Sequence, residues 1–158
     1  MNQLHALDLS GQSFAVEGAV EVDHGDGWIM PRRFRRADEP LYHPALRDRA
    51  SMAAGVRLAM HSNASILQLD VVRPALTFDY QRRTHWTFDL VIDGQLHQHV
   101  ELPRGQGPVR FEKLPEGEHL LEVYLDHLSP VRIHAVKINA GAQSRPAHDT
   151  RKRWIAYG

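Results

Sequence analysis

The residues with the most evident chemical capacity in this sequence are histidines. There are eleven of them in 158 residues, and His97 and His99 are separated by a single position. Because side chains alternate between the two faces of a β-strand, His97 and His99 are expected to share one face of a strand. Imidazole nitrogens are common ligands of zinc and other transition metals, so this pair is a candidate metal site.

A complete metal site needs further ligands, and the later sequence supplies them imperfectly. The pattern resembles that of the cupins, which combine a His-x-His pair and a glutamate with a later Pro-x-Gly segment and a third histidine. Here Glu101 follows the pair too closely, and His119 comes one residue early after Pro115-Glu116-Gly117. In a strand, a shift of one residue turns the side chain to the opposite face. A cupin-like metal-binding protein that uses His97, His99 and His119 is therefore an alternative hypothesis, and surface histidines with no bound cofactor are our main interpretation.

The sequence contains no pattern for covalent catalysis. It has no cysteine, which excludes a thiol nucleophile, a disulfide framework and a thiolate metal site. It also lacks the G-x-S-x-G elbow of the α/β-hydrolases. His148 and Asp149 are neighbours in a polar segment and do not form a catalytic dyad. We predict that no residue of this chain is catalytic.

Aromatic side chains form the second group of candidates. Jelly-roll domains often bind glycans through exposed rings on one sheet or loop, whereas Trp86 belongs to the apolar face of its strand. We favour the interpretation that the rings fill core or interdomain contacts. The candidates for ligand or interdomain contact are Trp28, Tyr42, Tyr80 and Tyr124.

Charge and hydropathy argue against nucleic acid and membrane partners. Nineteen basic residues balance nineteen acidic ones, so no net field attracts the chain to a polyanion. The one basic cluster, Arg32, Arg33, Arg35 and Arg36, is interpreted as a solvated face or as charges that guard a sheet edge. No apolar run approaches the ~20 residues of a membrane helix, and the first residues lack the features of a signal peptide. We expect a cytoplasmic protein.

The elements that position these residues are predicted to be strands. In Gly55–Val72, apolar residues alternate with mostly polar ones on both sides of the tetrad Ser62-Asn63-Ala64-Ser65, which predicts a β-hairpin with one buried face. The same period recurs in residues 13–22 and in later segments, whereas one or two helical turns fit within Ala37–Ala54. The apolar sets are Val56, Leu58 and Met60; Leu67, Leu69 and Val71; Phe14, Val16, Gly18, Val20 and Val22; Trp86, Phe88, Leu90 and Ile92; Leu96, Val100 and Leu102; and Leu121, Val123 and Leu125.

Short polar turns separate these segments, and Asp93-Gly94 is a hairpin signal. About nine strands at such spacing predict an all-β fold, an antiparallel two-sheet β-sandwich that is jelly-roll-like. Residues 140–152, AGAQSRPAHDTRK, interrupt the pattern and are predicted to be a linker. Residues 153–158, RWIAYG, are again strand-like. We expect an accessory sandwich over 1–139, a linker over 140–152 and the first strand of another domain over 153–158.

Three segments carry a resemblance to a known family. In order, GVRLAMHSNASILQLDV, FDLVIDG and LPEGEHLLEVYLDHLSPVRI resemble the N-terminal β-sandwich domain of a branch of the SGNH (GDSL-like) hydrolases. In that branch the domain precedes an α/β/α esterase domain. RWIAYG resembles the opening strand of the esterase domain, with Gly158 in the place of the glycine that begins the serine block.

The resemblance implies a non-catalytic accessory domain, cut just before the catalytic serine block of an SGNH/GDSL-type esterase or lipase. Its partner would be the missing C-terminal hydrolase domain, and it would also contact carbohydrate or acyl substrate. A free-standing jelly-roll carbohydrate-binding module is the first alternative, and the cupin-like metal-binding protein is the second.

Overall fold

The computed structural model describes residues 3–76, 85–103, 105 and 107–151. These residues form twelve strands, a 3₁₀ helix over Arg36–Leu41 and the helix α1 over Pro44–Ser51. Neither helix is long and apolar enough to cross a membrane. The strands are β1 (Leu4–Ala6), β2 (Ala15–Glu17), β3 (Glu21–Gly25), β4 (Trp28–Arg32), β5 (Arg57–Ser62), β6 (Ile66–Val72), β7 (His85–Ile92), β8 (Gln95–Pro103), β9 (Val109–Glu112), β10 (His119–Tyr124), β11 (Arg132–Asn139) and β12 (Ser144–Pro146).

The strands build two antiparallel sheets of six strands each. Sheet A has the order β3-β4-β11-β6-β9, and β1 also pairs with β11. Sheet B has the order β12-β5-β10-β7-β8, and β2 also pairs with β5. The predicted all-β, two-sheet sandwich is confirmed. Three of the twelve strands contain only three residues each, which is too short for a periodic signal, so the sequence predicted about nine.

One apolar core fills the space between the sheets. Leu58 and Met60 contribute to it from sheet B, and Leu67 and Leu69 contribute from sheet A, each with no exposed surface. The apolar set Trp86, Phe88, Leu90 and Ile92 is buried as predicted. Alternation therefore identified the inward-facing side chains of the long strands correctly.

The pairing of the central segment differs from the prediction. β5 and β6 do not form a hairpin, because β5 belongs to sheet B and β6 to sheet A. Residues 63–65 form an arch that carries the chain across the core. At the arch, the Asn139 side chain accepts hydrogen bonds from the N–H groups of Ser65 and Ile66, at 2.8 and 3.1 Å. Both strands bury the same set of residues in an arch as in a hairpin, so the period alone could not separate the two arrangements.

The predicted first strand is also divided between the sheets. Gly18 separates β2 in sheet B from β3 in sheet A, and its φ of +80° lies in the region that favours glycine. A Cβ at Gly18 would overlap the carbonyl oxygen of Gly55. Val20, predicted to face the core, follows this crossing and is 62% exposed.

The predicted hairpin at Asp93-Gly94 is confirmed between β7 and β8. Asp93 and Gly94 both have positive φ, 49° and 82°, as a two-residue type I′ turn requires. A bulge follows, since Leu90 pairs with Gln98 but Val91 pairs with Leu96, which leaves His97 as the inserted residue. The bulge interrupts the alternation, and Leu96, predicted to face the core, is 67% exposed.

The segment predicted to be a linker is attached to the sandwich over its described part. Ser144–Pro146 forms β12 and pairs with β5 at Met60–Ser62. The hydroxyl of Ser144 donates to the carbonyl oxygen of Ser13 at 2.7 Å, and the N–H of Gln143 donates to Asn63 Oδ1 at 2.8 Å. Composition predicted a polar connection here but did not reveal these contacts.

Candidate functional site

The outer face of sheet B carries a cluster of charged side chains. Because Leu58 and Met60 point into the core, their neighbours Arg57, Ala59 and His61 point outward. In β10, Glu122 and Tyr124 are outward for the same reason. The register places Arg57 opposite Tyr124 and Ala59 opposite Glu122, so two adjacent strands present these side chains side by side.

The Arg57 cluster consists of Arg57, Glu122, Asp149 and Arg151. Arg57 Nε donates to Glu122 Oε1 at 2.7 Å, and a terminal nitrogen of Arg57 donates to Asp149 Oδ2 at 2.5 Å. Arg151 donates to both carboxylate oxygens of Asp149, at 2.8 and 2.7 Å, and lies 3.5 Å from Glu122. The side chains of Arg57 and Glu122 are only 11% and 6% exposed, so these charges compensate each other away from bulk solvent.

Electrostatic coupling in the Arg57 cluster is visible in two pKa values. The hydrogen bonds from Arg151, helped by the charge of Arg57, hold the pKa of Asp149 well below its usual range. The same hydrogen bond to Asp149 raises the pKa of Arg151. Both groups are therefore fully charged at neutral pH, and neither is suited to transfer a proton there.

The Arg57 cluster fastens the C-terminal part of the described chain to sheet B. The N–H of Ala147 donates to the carbonyl oxygen of Ala59 at 3.2 Å, and the N–H of Asp149 donates to Glu17 Oε1 at 3.3 Å. His148 Nδ1 lies 3.7 Å from the same Glu17 oxygen. An open groove of about 430 Å³ runs beside this segment over β5 and β10. The arrangement is suited to holding a chain in place rather than to chemical transformation.

The three histidines considered as metal ligands lie on two strands of sheet B. His97 and His99 are exposed on β8, and His119 lies on β10, which β7 separates from β8. His99 contacts Asp89, with 2.6 Å between Nδ1 and Oδ1. Within the ranges that the structure describes, no three His, Asp or Glu side chains form a group that could hold a metal ion.

His119 instead forms a local hydrogen-bonded pair with the β7–β8 turn. Its Nδ1 lies 2.6 Å from Asp93 Oδ2, and its Nε2 lies 3.0 Å from the carbonyl oxygen of Glu116. Because both ring nitrogens face oxygen acceptors, the doubly protonated ring is favoured, and the contact with Asp93 raises the pKa of His119. The same hydrogen bond lowers the pKa of Asp93.

The three described aromatic candidates make three different contacts, and Tyr80 lies outside the described residues. Tyr124 is half-buried beside the Arg57 cluster, with the Arg57 guanidinium 5.6 Å from its ring centre. Tyr42 packs edge to face on Phe34 at 5.6 Å. Trp28 lies on the outer face of sheet A, with the guanidinium of Arg132 at 4.2 Å from its ring. The structure therefore does not bring the three described rings together into one platform.

The basic cluster after β4 makes contacts within the domain. Arg33 donates to the carbonyl oxygens of Met52 and Arg49, both at 2.8 Å. Arg35 pairs with Asp38 at 2.9 Å, and the side chains of Arg32 and Arg36 both contact Asp23. These arginines hold the helical segment against β3 and β4.

Sequence reasoning did not identify the Arg57 cluster as a site. Arg57 and Glu122 appeared only as polar positions in alternating strands, and Asp149 appeared as part of a linker. A weak signal was present, since charged residues at outward positions of two strands are candidates for cross-strand pairs. The pairing itself depends on residues 65 and 92 positions apart, which a local pattern does not connect.

Comparison with known proteins places this fold in a family. Residues 14–134 match the family described as SsfX3, N-terminal domain. The chain belongs to the SsfX3 N-terminal domain family. The resemblance to the N-terminal β-sandwich domain of GDSL-like enzymes is thereby confirmed. No curated protein sequence matches the chain.

Solved structures agree with this assignment. A salicylyl-acyltransferase, SsfX3, from a tetracycline biosynthetic pathway is similar, with 27% identity, a TM-score of 0.78 and 95% of this chain covered. A protein described as a GDSL-like lipase from Bacteroides ovatus, at 13% identity, TM-score 0.72 and 95% of this chain covered, shares the fold. So does a family two carbohydrate esterase from Cellvibrio japonicus, at 17% identity, TM-score 0.57 and 97% covered. The chain spans 42%, 45% and 38% of these three chains.

Proposed function

We propose that this chain is the accessory domain of an SGNH-type ester hydrolase or acyltransferase, and that it packs on the catalytic domain through the outer face of sheet B. Membership of the SsfX3 N-terminal domain family and the 27% identity to an acyltransferase support the first part. The matched relative is more than twice as long as this chain, which leaves room in such a protein for a separate catalytic domain.

The observation that carries the second part is the position of residues 147–151. These residues lie on the outer face of sheet B and are held there by the Arg57 cluster. Gly158 lies seven positions after Arg151, and a fully extended chain of that length spans at most about 25 Å. A catalytic domain that begins near Gly158 is therefore tethered close to the groove over β5 and β10.

The aromatic side chains give no support to a glycan platform at Trp28. Gly25 lies against the indole so closely that a Cβ there would overlap the ring, and the Arg132 guanidinium stacks on the ring. A sugar that stacks on an aromatic ring needs an open face. We therefore assign the domain a packing role and place ester or acyl chemistry in the catalytic domain.

The packing face is tested by thiol labelling, because the chain itself has no cysteine. Single variants His61→Cys and His148→Cys mark the outer face of sheet B, and Glu112→Cys marks an exposed position on β9 in sheet A. The rate of reaction with a maleimide is measured in the isolated chain and in the polypeptide whose reading frame continues past Gly158. We expect strong protection of positions 61 and 148 in the longer protein and an unchanged rate at position 112.

If positions 61 and 148 each react as fast in the longer protein as in the isolated chain, the packing face is refuted. Protection at position 112 alone would place the contact on sheet A. A stop codon directly after Gly158 would refute the tethered catalytic domain. The isolated chain should show no turnover of an aryl ester above background, whereas the longer protein should hydrolyse or transfer the acyl group. Turnover by the isolated chain would contradict a non-catalytic role.

A further inference from the structure

A second concave region lies on the outer face of sheet A, on the opposite side of the sandwich from the Arg57 cluster. It encloses about 460 Å³, a volume within the range of small-molecule sites. Trp28 and Arg132 form its floor, because their neighbours Ile29 and Ile133 point into the core. Pro44 and Pro130 stand in its walls. We call this region the Arg132 pocket.

Arg132 is held rigidly at the floor of the Arg132 pocket. Its guanidinium lies 4.2 Å from the centre of the Trp28 ring, and the indole itself is fixed against Gly25. Stacking on an aromatic face fixes the plane of the guanidinium and therefore the directions of its N–H donors. A donor group fixed in advance loses little conformational entropy when a ligand arrives.

The Nε–H of Arg132 is a donor without an acceptor. The atom is buried, and none of the described residues offers it a hydrogen-bond partner. Because Nε itself is buried, a ligand in the Arg132 pocket contacts the terminal nitrogens of this guanidinium. A guanidinium presents parallel N–H groups that match the two oxygens of a carboxylate.

The charges around the Arg132 pocket favour a single negative charge on the ligand. Among the residues that the structure describes, four arginines line it against three carboxylates, an excess of one positive charge: Arg32, Arg36, Arg47 and Arg132 face Asp23, Glu39 and Asp48. Asp23 contacts both Arg32 and Arg36, and Arg47 donates to the carbonyl oxygen of Tyr42 at 2.8 Å. A multiply charged phosphate would be repelled by the remaining carboxylates, whereas a monoanion neutralises the excess.

We propose that the Arg132 pocket binds a small organic carboxylate. The carboxylate oxygens accept hydrogen bonds from the terminal N–H groups of the Arg132 guanidinium, and the body of the ligand packs against the edge of Trp28 and against Pro44 and Pro130. This site is separate from the packing face on sheet B, so its test is independent of that proposal.

The test is an NMR titration of the ¹⁵N-labelled chain. Sodium benzoate and sodium glucuronate are the probes, benzamide and glucose are their neutral counterparts, and sodium chloride matches the ionic strength. We expect the Arg132 Nε–H and Trp28 indole N–H signals to shift to saturation with at least one carboxylate and not with the neutral compounds. A linear drift equal to that in sodium chloride, or an equal response to benzamide or glucose, would overturn the proposal.

Variants assign the response to Arg132. Arg132→Gln should abolish the saturable shift of the Trp28 signal, and Arg132→Lys, which keeps the charge but loses the planar donor pair, should weaken binding several-fold. Arg35→Gln, which changes a 69% exposed arginine paired with Asp38, should bind like the wild type. If Arg132→Gln does not fold, Arg132→Lys decides, and unchanged affinity in either folded variant rejects the site.

An experiment on the longer protein distinguishes a small-molecule carboxylate from a carboxylate side chain of another domain. There the Arg132 Nε–H signal should still respond to the added carboxylate. A signal that is already shifted and no longer responds would show that a carboxylate side chain of another domain occupies the pocket, and the small-molecule site would be rejected.

Discussion

At the scale of single residues, Gly18 combines two constraints at the crossing between the sheets. Its φ of +80° disfavours any side chain, and the carbonyl of Gly55 occupies the space of a Cβ. Gly141 has a similar φ of +84° but open space around it. Substituting Gly141 therefore measures the stability cost of the backbone conformation alone, whereas substituting Gly18 measures that cost together with the cost of the contact.

We expect Gly141→Ala to lower the free energy of unfolding by about 1–2 kcal/mol, the cost of the left-handed conformation. Gly18→Ala should cost clearly more, because the backbone must also move away from Gly55. Urea unfolding of both variants and the wild type measures the difference. Equal losses would show that the contact with Gly55 contributes nothing.

The pair His119–Asp93 predicts a pH dependence of stability. Since the folded-state pKa of His119 is raised above 6.5, the contribution of its charge is fully present below pH 6.5 and is lost as the pH rises through the folded pKa. Since the pKa of Asp93 is lowered from 3.8, its contribution is present above pH 3.8 and is lost as the pH falls through the lower folded value. The pair therefore stabilises the fold between these limits.

NMR titration should give His119 a pKa above 6.5 in the wild type and a value closer to 6.5 in Asp93→Asn. In the same variant, the free energy of unfolding measured in urea should no longer show the pH dependence that this pair contributes. His99→Gln, which removes a different histidine–aspartate contact, should leave the pKa of His119 unchanged. A wild-type His119 pKa at or below 6.5 would contradict the structure.

The sequence predicted burial of single residues well and polar partners poorly. Leu58, Phe88 and Val123 were assigned to the core from local alternation, and each is fully buried. Leu96 was assigned wrongly because a one-residue bulge at His97 changes the direction of the side chains before it. Arg57 was not recognised as a site because its partners lie on another strand and in a segment without periodicity.

At the scale of elements, the arch between β5 and β6 shows why strands are easier to predict than their neighbours. Alternation depends on which face of a strand is buried, and that face is the same in an arch and in a hairpin. Pairing depends on where the chain turns after Ser62. There the Asn63 side chain accepts a hydrogen bond from the N–H of Gln143, and the Asn139 side chain accepts one from the N–H of Ser65. A short stretch of sequence does not reveal such distant partners.

Asn139 should be the main side-chain support of the arch. Asn139→Ala leaves the N–H groups of Ser65 and Ile66 without their acceptor and should cost about 1–3 kcal/mol. Asn139→Asp retains an oxygen at the same position, and the midpoint of its urea unfolding should lie close to that of the wild type. A loss of similar size in both variants would show that the amide oxygen is not the important group.

The Arg57 cluster should stabilise the attachment of residues 147–151. Arg57→Met leaves the buried Glu122 carboxylate with only the longer contact to Arg151 and should cost about 3 kcal/mol in denaturant unfolding. Arg151→Gln changes a side chain that is 68% exposed and should cost clearly less than Arg57→Met, because solvent screens the charge. Tryptic cleavage after Arg151, which is followed by Lys152, should accelerate in Arg57→Met, and an unchanged cleavage rate would show that the cluster does not hold the segment.

At the scale of the whole molecule, both sheets share one core cluster and should unfold together. Leu69 in sheet A and Leu90 in sheet B are both fully buried in it. Leu69→Ala and Leu90→Ala should each lower the free energy of unfolding by about 2–5 kcal/mol. In both variants, tryptophan fluorescence and far-UV circular dichroism should give coincident transitions, whereas separate transitions would show that the sheets unfold independently.

The arch also determines when β5 can find its partners during synthesis. Its partner β2 contributes three residues, and its long partner β10 begins at His119, 57 positions after Ser62. At ~5–20 residues per second, a ribosome needs roughly 3–11 s to make the intervening chain. Throughout that time the edge of β5 that pairs with β10 has no sheet neighbour. The yield of folded protein should therefore depend on how well the cell shields nascent strands from pairing with other chains.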